Sequence, residues 1–322
     1  NGQGLTCEPD IIKLRACSDP SCSIINPDAV DVVLSVSVIN DEVLTKNVTI
    51  VGGEIDVEYI HTTAEVVSLS LDQKFECLNG SPTECDVTFS DTGFRFITGT
   101  DNLNLPIQLS GKPSNIGFNA STLKVEAVRT DPLNPAGACA ALLVTGESIA
   151  MAASYQSPSV GSAEVNISGK DIGTAINGTA FDSLPFTDVP LDFGDGTQNG
   201  AEYVFTYSDA GSILLNARYE LPDDEGQPSG DFITGISNPI IVRPFAFDML
   251  IDNNLPTGDP NYKVNPKAQS GPPPNNPVFM AAGEDIKISM RAVAWKVGDD
   301  DNANGLADEG EVFTNNATTA NF

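Results

Sequence analysis

Basic residues, histidine and tryptophan are scarce in this chain. It has 322 residues with one histidine, one tryptophan and 16 lysines and arginines against 44 acidic side chains, a formal charge of −28. A Ser-His-Asp or Cys-His arrangement needs an imidazole beside its nucleophile. The only candidate, His61 in Tyr59-Ile60-His61-Thr62-Thr63, falls in an alternating pattern as an ordinary surface or edge residue. The shortage of Lys and Arg argues against a nucleic-acid partner, whose phosphates demand them, and disfavours an anionic membrane surface. No apolar run approaches the ~18 residues of a spanning helix, so direct membrane insertion is not expected. Long helical periodicities are missing, as is a glycine-rich loop that follows a strand and opens a helix. Carboxylate pairs could serve glycoside chemistry, but 44 acidic residues guarantee some pairing by chance. We expect no catalysis.

Short alternating segments are plentiful. Residues 12–17, 123–128 and 286–293 resemble one another: each alternates apolar and polar side chains, and each precedes a polar loop bearing Asp or Pro. Alternation with period two marks a strand with one face in a core and one in water, and repeated cues mark repeated modules. Further strands are expected at 30–39, 48–50, 55–59 and 66–71, separated by turn signals at Asn40-Asp41 and Gly52-Gly53. The predicted class is all-β: tandem immunoglobulin-like β-sandwich modules. We place an Ig-like sandwich at 1–73. A larger β-sandwich module follows at 74–242, opening with a hairpin through Cys77 and Cys85 and carrying a long exposed loop at 221–230. A third β-module starts at 243–322. Its insert at 253–277 is dense in Pro and Asn and reads as extended chain. Neither an initiator Met nor a signal peptide precedes Gln3, and Thr318 to Phe322 reads as the start of another strand. A processed chain or fragment with an incomplete third module is expected.

The cysteine count is six, an even number, in tight local spacings. Neither Cys17 with Cys22 nor Cys77 with Cys85 has the spacing of a zinc knuckle, and one histidine makes a Cys/His site unsuitable. Short pairs bracketing turns read as disulfides, hence an oxidising compartment. Pairing them leaves Cys7 with Cys139.

Two acidic loops carry cation-binding patterns. Asp192-Phe193-Gly194-Asp195-Gly196-Thr197 resembles the sequence of PKD-type extracellular modules; a hairpin turn is the first reading, and a weak cation site at Asp192 and Asp195 the second. The sharper pattern runs from Asp300 to Glu311 and fits D-x-[DN]-x-[DN]-G-x₅-E at every specified position. Calcium is hard and takes six to eight oxygens. The expected donors are the side chains of Asp300, Asn302 and Asn304, the Leu306 carbonyl, Asp308 directly or through water, and Glu311. The flanks read as strands, so this calcium loop is expected between β-strands and not between helices.

Taken together, several stretches resemble the large MshQ-type proteins encoded in mannose-sensitive haemagglutinin type IV pilus operons. They are 5–22, 85–96, 106–114, 125–130, 242–247 and 281–322 with its acidic loop. Some relatives carry a further cysteine pair beyond the position of Cys139; residues 155–161 here have none. The resemblance implies a secreted, cell-surface or pilus-associated protein of a Gram-negative bacterium, outside the outer membrane, with a role in pilus biogenesis or adhesion and no catalytic residues. Expected partners are other pilus or cell-surface proteins, further copies of this chain included, and a host or surface glycan. The alternative from another class is a carbohydrate-binding or hydrolytic ectodomain whose active module lies outside these residues.

Overall fold

A computed structural model describes residues 2–19, 21–38, 44–77, 85–99, 103–131, 133, 139–194, 200–223, 225–251, 288–309, 313 and 316–320. Its regular structure is β throughout, apart from one 3₁₀ turn at Phe181–Ser183.

The first strands are β1 (Gln3–Leu5), β2 (Asp10–Arg15), β3 (Val30–Val38), β4 (Leu44–Ile50), β5 (Glu54–Tyr59), β6 (Val66–Leu71) and β7 (Cys85–Ser90). One sheet has the order β1-β7-β6-β3-β4, and β2 pairs β5 in a second. Alternation works here as expected. Val32, Leu34 and Val36 of β3 face Leu14, Val48, Ile50, Val57, Val67 and Phe89 in a shared core, and the residues between them are less buried. Residues 85–89, read from the sequence as part of a hairpin opening the next segment, instead complete this sheet. Leu69 lies opposite Cys85, and Phe89 packs in the first core. Strand β1 adds to the far side of β7 in parallel.

The next strands are β8 (Thr92–Thr98), β9 (Gln108–Leu109), β10 (Leu123–Arg129), β11 (Ala140–Ala141), β12 (Gly146–Ser157), β13 (Val165–Ile167), β14 (Lys170–Ala175), β15 (Thr187–Asp192), β16 (Ala201–Tyr203), β17 (Phe205–Tyr207), β18 (Gly211–Pro222), β19 (Pro228–Ile236) and β20 (Ile240–Arg243). A four-stranded sheet around β10 packs on a nine-stranded sheet around β12 and β18. Their core takes Phe94, Phe96, Val125 and Ala127 from one side and Ile149, Met151, Leu215 and Ala217 from the other. Two aligned sheets with interdigitating inner faces form a β-sandwich. Residues 221–230, expected as a long exposed loop, are exposed for the most part but carry the end of β18 and the start of β19, with the Asp223 amide donating to the Gln227 carbonyl at 2.7 Å between them.

Strands β21 (Ala246–Ile251) and β22 (Ile288–Val293) pair antiparallel. The expected insert at 253–277 lies outside the described residues. The segment after β22 docks on the second sandwich: the Trp295 amide donates to the Ser110 carbonyl at 2.8 Å, and the Ala320 amide to Asp209 Oδ1 at 2.8 Å.

The three look-alike strands are thus β2, β10 and β22, but their surroundings differ. The polar face of β10 is not in water: Glu126 is buried, covered by Arg95 and by the close approach of Gly200.

Candidate functional site: an acidic loop and the junctions that hold the modules

The loop between Asp299 and Glu309 winds around one carboxylate. Asp300 Oδ1 accepts the Asn304 amide at 3.0 Å, and its Oδ2 accepts the Gly305 amide at 2.8 Å. Asn302 Oδ1 accepts the Asn304 amide at 3.1 Å, and Asn304 Oδ1 accepts the Leu306 amide at 2.8 Å. Asp308 closes the ring, accepting Asn302 Nδ2 at 2.7 Å and the Asp301 amide at 2.8 Å. Such winding needs left-handed backbone, found at Ala303 (φ +58°) and Gly305 (φ +78°). Asp299 and Asp300 are both buried, and Asp299 accepts Asn316 Nδ2 at 2.5 Å.

Four of the six expected donors, Asp300, Asn302, Asn304 and Asp308, are therefore joined in one hydrogen-bonded ring, with Leu306 next to it. Glu311 lies outside the described residues. Among the described residues no three Asp, Glu, His or Cys side chains stand together as a metal cluster. Two of the ring's four side-chain donors are asparagines.

The loop is pressed onto the second sandwich, which spacing alone did not suggest. A Cβ on Gly305 would lie 2.6 Å from the Phe118 ring. Arg243 Nη2 donates to the Gly305 carbonyl at 3.1 Å, and its guanidinium lies 5.2 Å from the centroid of that ring. Nearby, Lys112 is buried and donates to the carbonyls of Pro113 (3.0 Å) and Ile116 (2.6 Å). Burial pulls its pKa down to about 8, opposed by attraction to Asp300. The sequence presents Gly111-Lys112-Pro113 only as a turn.

All six cysteines are paired: Cys7–Cys139, Cys17–Cys22 and Cys77–Cys85, with Cα atoms 4.9, 4.9 and 5.6 Å apart. Inside the Cys17–Cys22 loop, Asp19 accepts from Ser21, from the Ile24 amide at 2.7 Å and from Ser23 at 2.9 Å. These bonds hold its carboxyl well below the ordinary range.

Cys7–Cys139 spans 132 residues and ties the N-terminal segment to the second sandwich. Around it, Thr6 Oγ1 donates to Asp91 Oδ1 at 2.7 Å and meets Thr130 Oγ1 at 2.5 Å. Arg95 bridges Glu8, at 2.6 Å, and the buried Glu126. Their charges raise the guanidinium's pKa against the opposing effect of burial, the larger single influence. A cavity of about 120 Å³ beside this junction is lined by Glu8, Asp10, Arg95 and Asn238 among others. Burial pushes the Asp10 carboxyl up.

Two other sequence candidates are less eventful. Asp192 Oδ1 accepts the Gly194 amide at 3.0 Å, as in a turn, while Asp195 lies outside the described residues. His61 is more enclosed than an edge residue: it meets Tyr59 Oη at 3.2 Å and Glu65 at 2.9 Å and packs against Phe89. Among the described residues no serine, threonine or cysteine is bonded to the imidazole.

Sandwiches tied by the Cys7–Cys139 disulfide and by buried polar contacts define the molecule as a multi-module immunoglobulin-like β-protein. A family profile described as a domain of unknown function, DUF6701, first Ig-like domain, matches residues 74–236, just over half the chain. The chain belongs to that family. A second profile, domain of unknown function DUF8613, matches residues 1–75. No curated protein and no solved structure matches. No helix among the described residues is long and apolar enough to cross a membrane.

Proposed function

We propose that this chain is part of an extracellular, non-catalytic structural or adhesive protein of a bacterial cell surface, of the MshQ type and associated with a type IV pilus. Its modules are stiffened by disulfides and by a calcium ion. The observation that carries the reading is the Cys7–Cys139 bridge with its flanking Thr6–Asp91 and Glu8–Arg95–Glu126 contacts. A covalent tie between modules serves a protein that must hold its shape outside the cell, where disulfides persist. The excess of negative charge suits solubility and cation binding there. Co-purification with sheared pili tests the pilus association; its absence from washed pili would count against it.

The acidic loop fits calcium by the chemistry of its donors. Asp300, Asn302, Asn304 and Asp308 would hold the ion by side-chain oxygens, Leu306 by its carbonyl, and Glu311 would close the set. Calcium would supply the positive charge that relieves repulsion among Asp299, Asp300, Asp301 and Asp308. Two neutral donors suit an affinity of roughly 10⁻⁴–10⁻³ M, that of extracellular modules. At millimolar calcium the gain by linkage is about 1 kcal/mol. Chelation should lower the melting temperature of the chain, and Glu311→Gln should remove the difference. Equal melting with calcium and with chelator would refute the site.

A further inference from the structure

The outer face of the large sheet, away from the core, is half covered. The strap at residues 180–186 lies over β12 and β14. Leu184 packs there with Ala152 and Ala175, and Gly173 leaves room for Pro185, whose carbonyl oxygen would be 2.1 Å from any Cβ. The strap ends at Phe186. Beyond it Ala150, Arg218 and Thr234 are half-buried and Phe232 is exposed, and Arg218 of β18 lies beside the strap. Its guanidinium sits 4.3 Å from the Phe186 ring centroid and 5.6 Å from that of Phe232, a residue 50% exposed on the neighbouring β19. In the cross-strand row Asp188–Ala150–Arg218–Thr234, only small or polar residues flank it.

Arg218 forms no hydrogen bond and no ion pair with the described residues, in a chain holding 44 carboxylates. Arg15, Arg95 and Arg291 each hold a carboxylate. Two acidic positions on this face are occupied elsewhere or distant: Glu220 accepts the Gly230 amide at 2.9 Å, and Asp188 lies two strands away, roughly 10 Å at ordinary strand spacing. Contact with ring faces engages the guanidinium through its π surface and leaves its N–H edge free. That edge matches a carboxylate in a two-pronged fashion.

We propose that Arg218, Phe232 and Phe186 form a binding site for an acidic sugar, a hexuronate unit of a polysaccharide. Its carboxylate takes the free edge of Arg218, and its apolar C–H face lies on the exposed ring of Phe232. The exposed Phe232 ring beside Arg218 suits the apolar face of a pyranose chair. The chain's charge of −28 repels anionic polymers more strongly the more charges each unit carries, so the favoured ligand carries no more than one carboxylate per sugar, on a body with an apolar face. This site adds a ligand to the surface-presentation reading and is measured on purified protein, so failure of either leaves the other standing.

The test is titration of the 322-residue chain with trigalacturonate in calcium-free buffer, which keeps the acidic loop out of the measurement. Side-chain Nε–H resonances of arginine and heat of binding are the readouts. The Arg218 resonance should shift saturably at millimolar trimer. Arg218→Gln should weaken binding at least tenfold and Phe232→Ala several-fold, both with the melting temperature of the parent. The carboxyl-reduced neutral trimer should not bind. An Arg218 resonance unmoved by trigalacturonate would overturn the proposal, and this readout needs no variant. Equal binding of the neutral trimer would overturn it as well. So would an acetylated triglutamate peptide that binds as tightly as the sugar.

Discussion

Removing the Cys7–Cys139 bridge by the double substitution Cys7→Ser and Cys139→Ser should destabilise the chain more than loss of either other disulfide. The bridge closes a loop of 132 residues, whereas the other two close 5 and 8. In the chain-entropy account the cost rises with the logarithm of loop length, giving about 5 kcal/mol for the long loop and about 2 to 2.5 kcal/mol for the short ones. Residual structure in the unfolded chain would reduce all three values. The bridge also joins the N-terminal segment to the second sandwich, so its loss should separate two events that are otherwise coupled. Guanidinium unfolding under non-reducing conditions, followed by near-ultraviolet circular dichroism, measures both effects. The variant should unfold at a lower midpoint and in two resolved steps. A variant within about 1 kcal/mol of the parent and unfolding in the same single step would refute the idea that this tie couples the modules.

Arg95→Met would leave Glu8 and the buried Glu126 without their cation; breaking such a pair costs about 3 to 5 kcal/mol, and chemical denaturation should show a loss of that order. Asp10 has a raised pKa in the fold, so the folded state holds its proton more tightly than the unfolded state. Its contribution to stability therefore falls as pH rises from the ordinary carboxyl value through the raised one. Asp10→Asn should melt higher than the parent at pH 7, and the two should converge at pH 3, below both values. Gly305→Ala combines a left-handed φ with a collision against Phe118, so it should lift the acidic loop from the second sandwich. Hydrogen exchange at the Gly305 and Leu306 amides should accelerate in that variant.

Much of the fold can be read from alternation alone, because strands such as β3 keep their apolar residues on one face and bury it. The Cys17–Cys22 and Cys77–Cys85 disulfides follow from spacing for the same local reason, whereas Cys7–Cys139 was left only as the remaining pair. Long-range contacts escape such reasoning. Residues 85–89 look like a partner for the preceding cysteine segment, yet their neighbours in the sheet are β6 and β1, the latter more than 80 residues away. Glu126 alternates as a solvent-facing residue and is buried because Arg95 and Gly200 from two other segments cover it. The acidic loop was visible as a donor pattern, but its seat against Phe118 and Arg243 was not, since nothing local encodes which surface a loop meets. Arg218 carries no sequence signal either: its meaning lies in the absence of an acceptor among the described residues, which only the assembled sheet reveals.

The central claim is that this chain stands outside the cell. Antibodies raised against the folded chain, applied to intact and to permeabilised cells that make the native protein, test it most directly. The account predicts labelling of intact cells, along pili or at their bases, with no gain on permeabilisation. Labelling that appears only after the outer membrane is opened would contradict it.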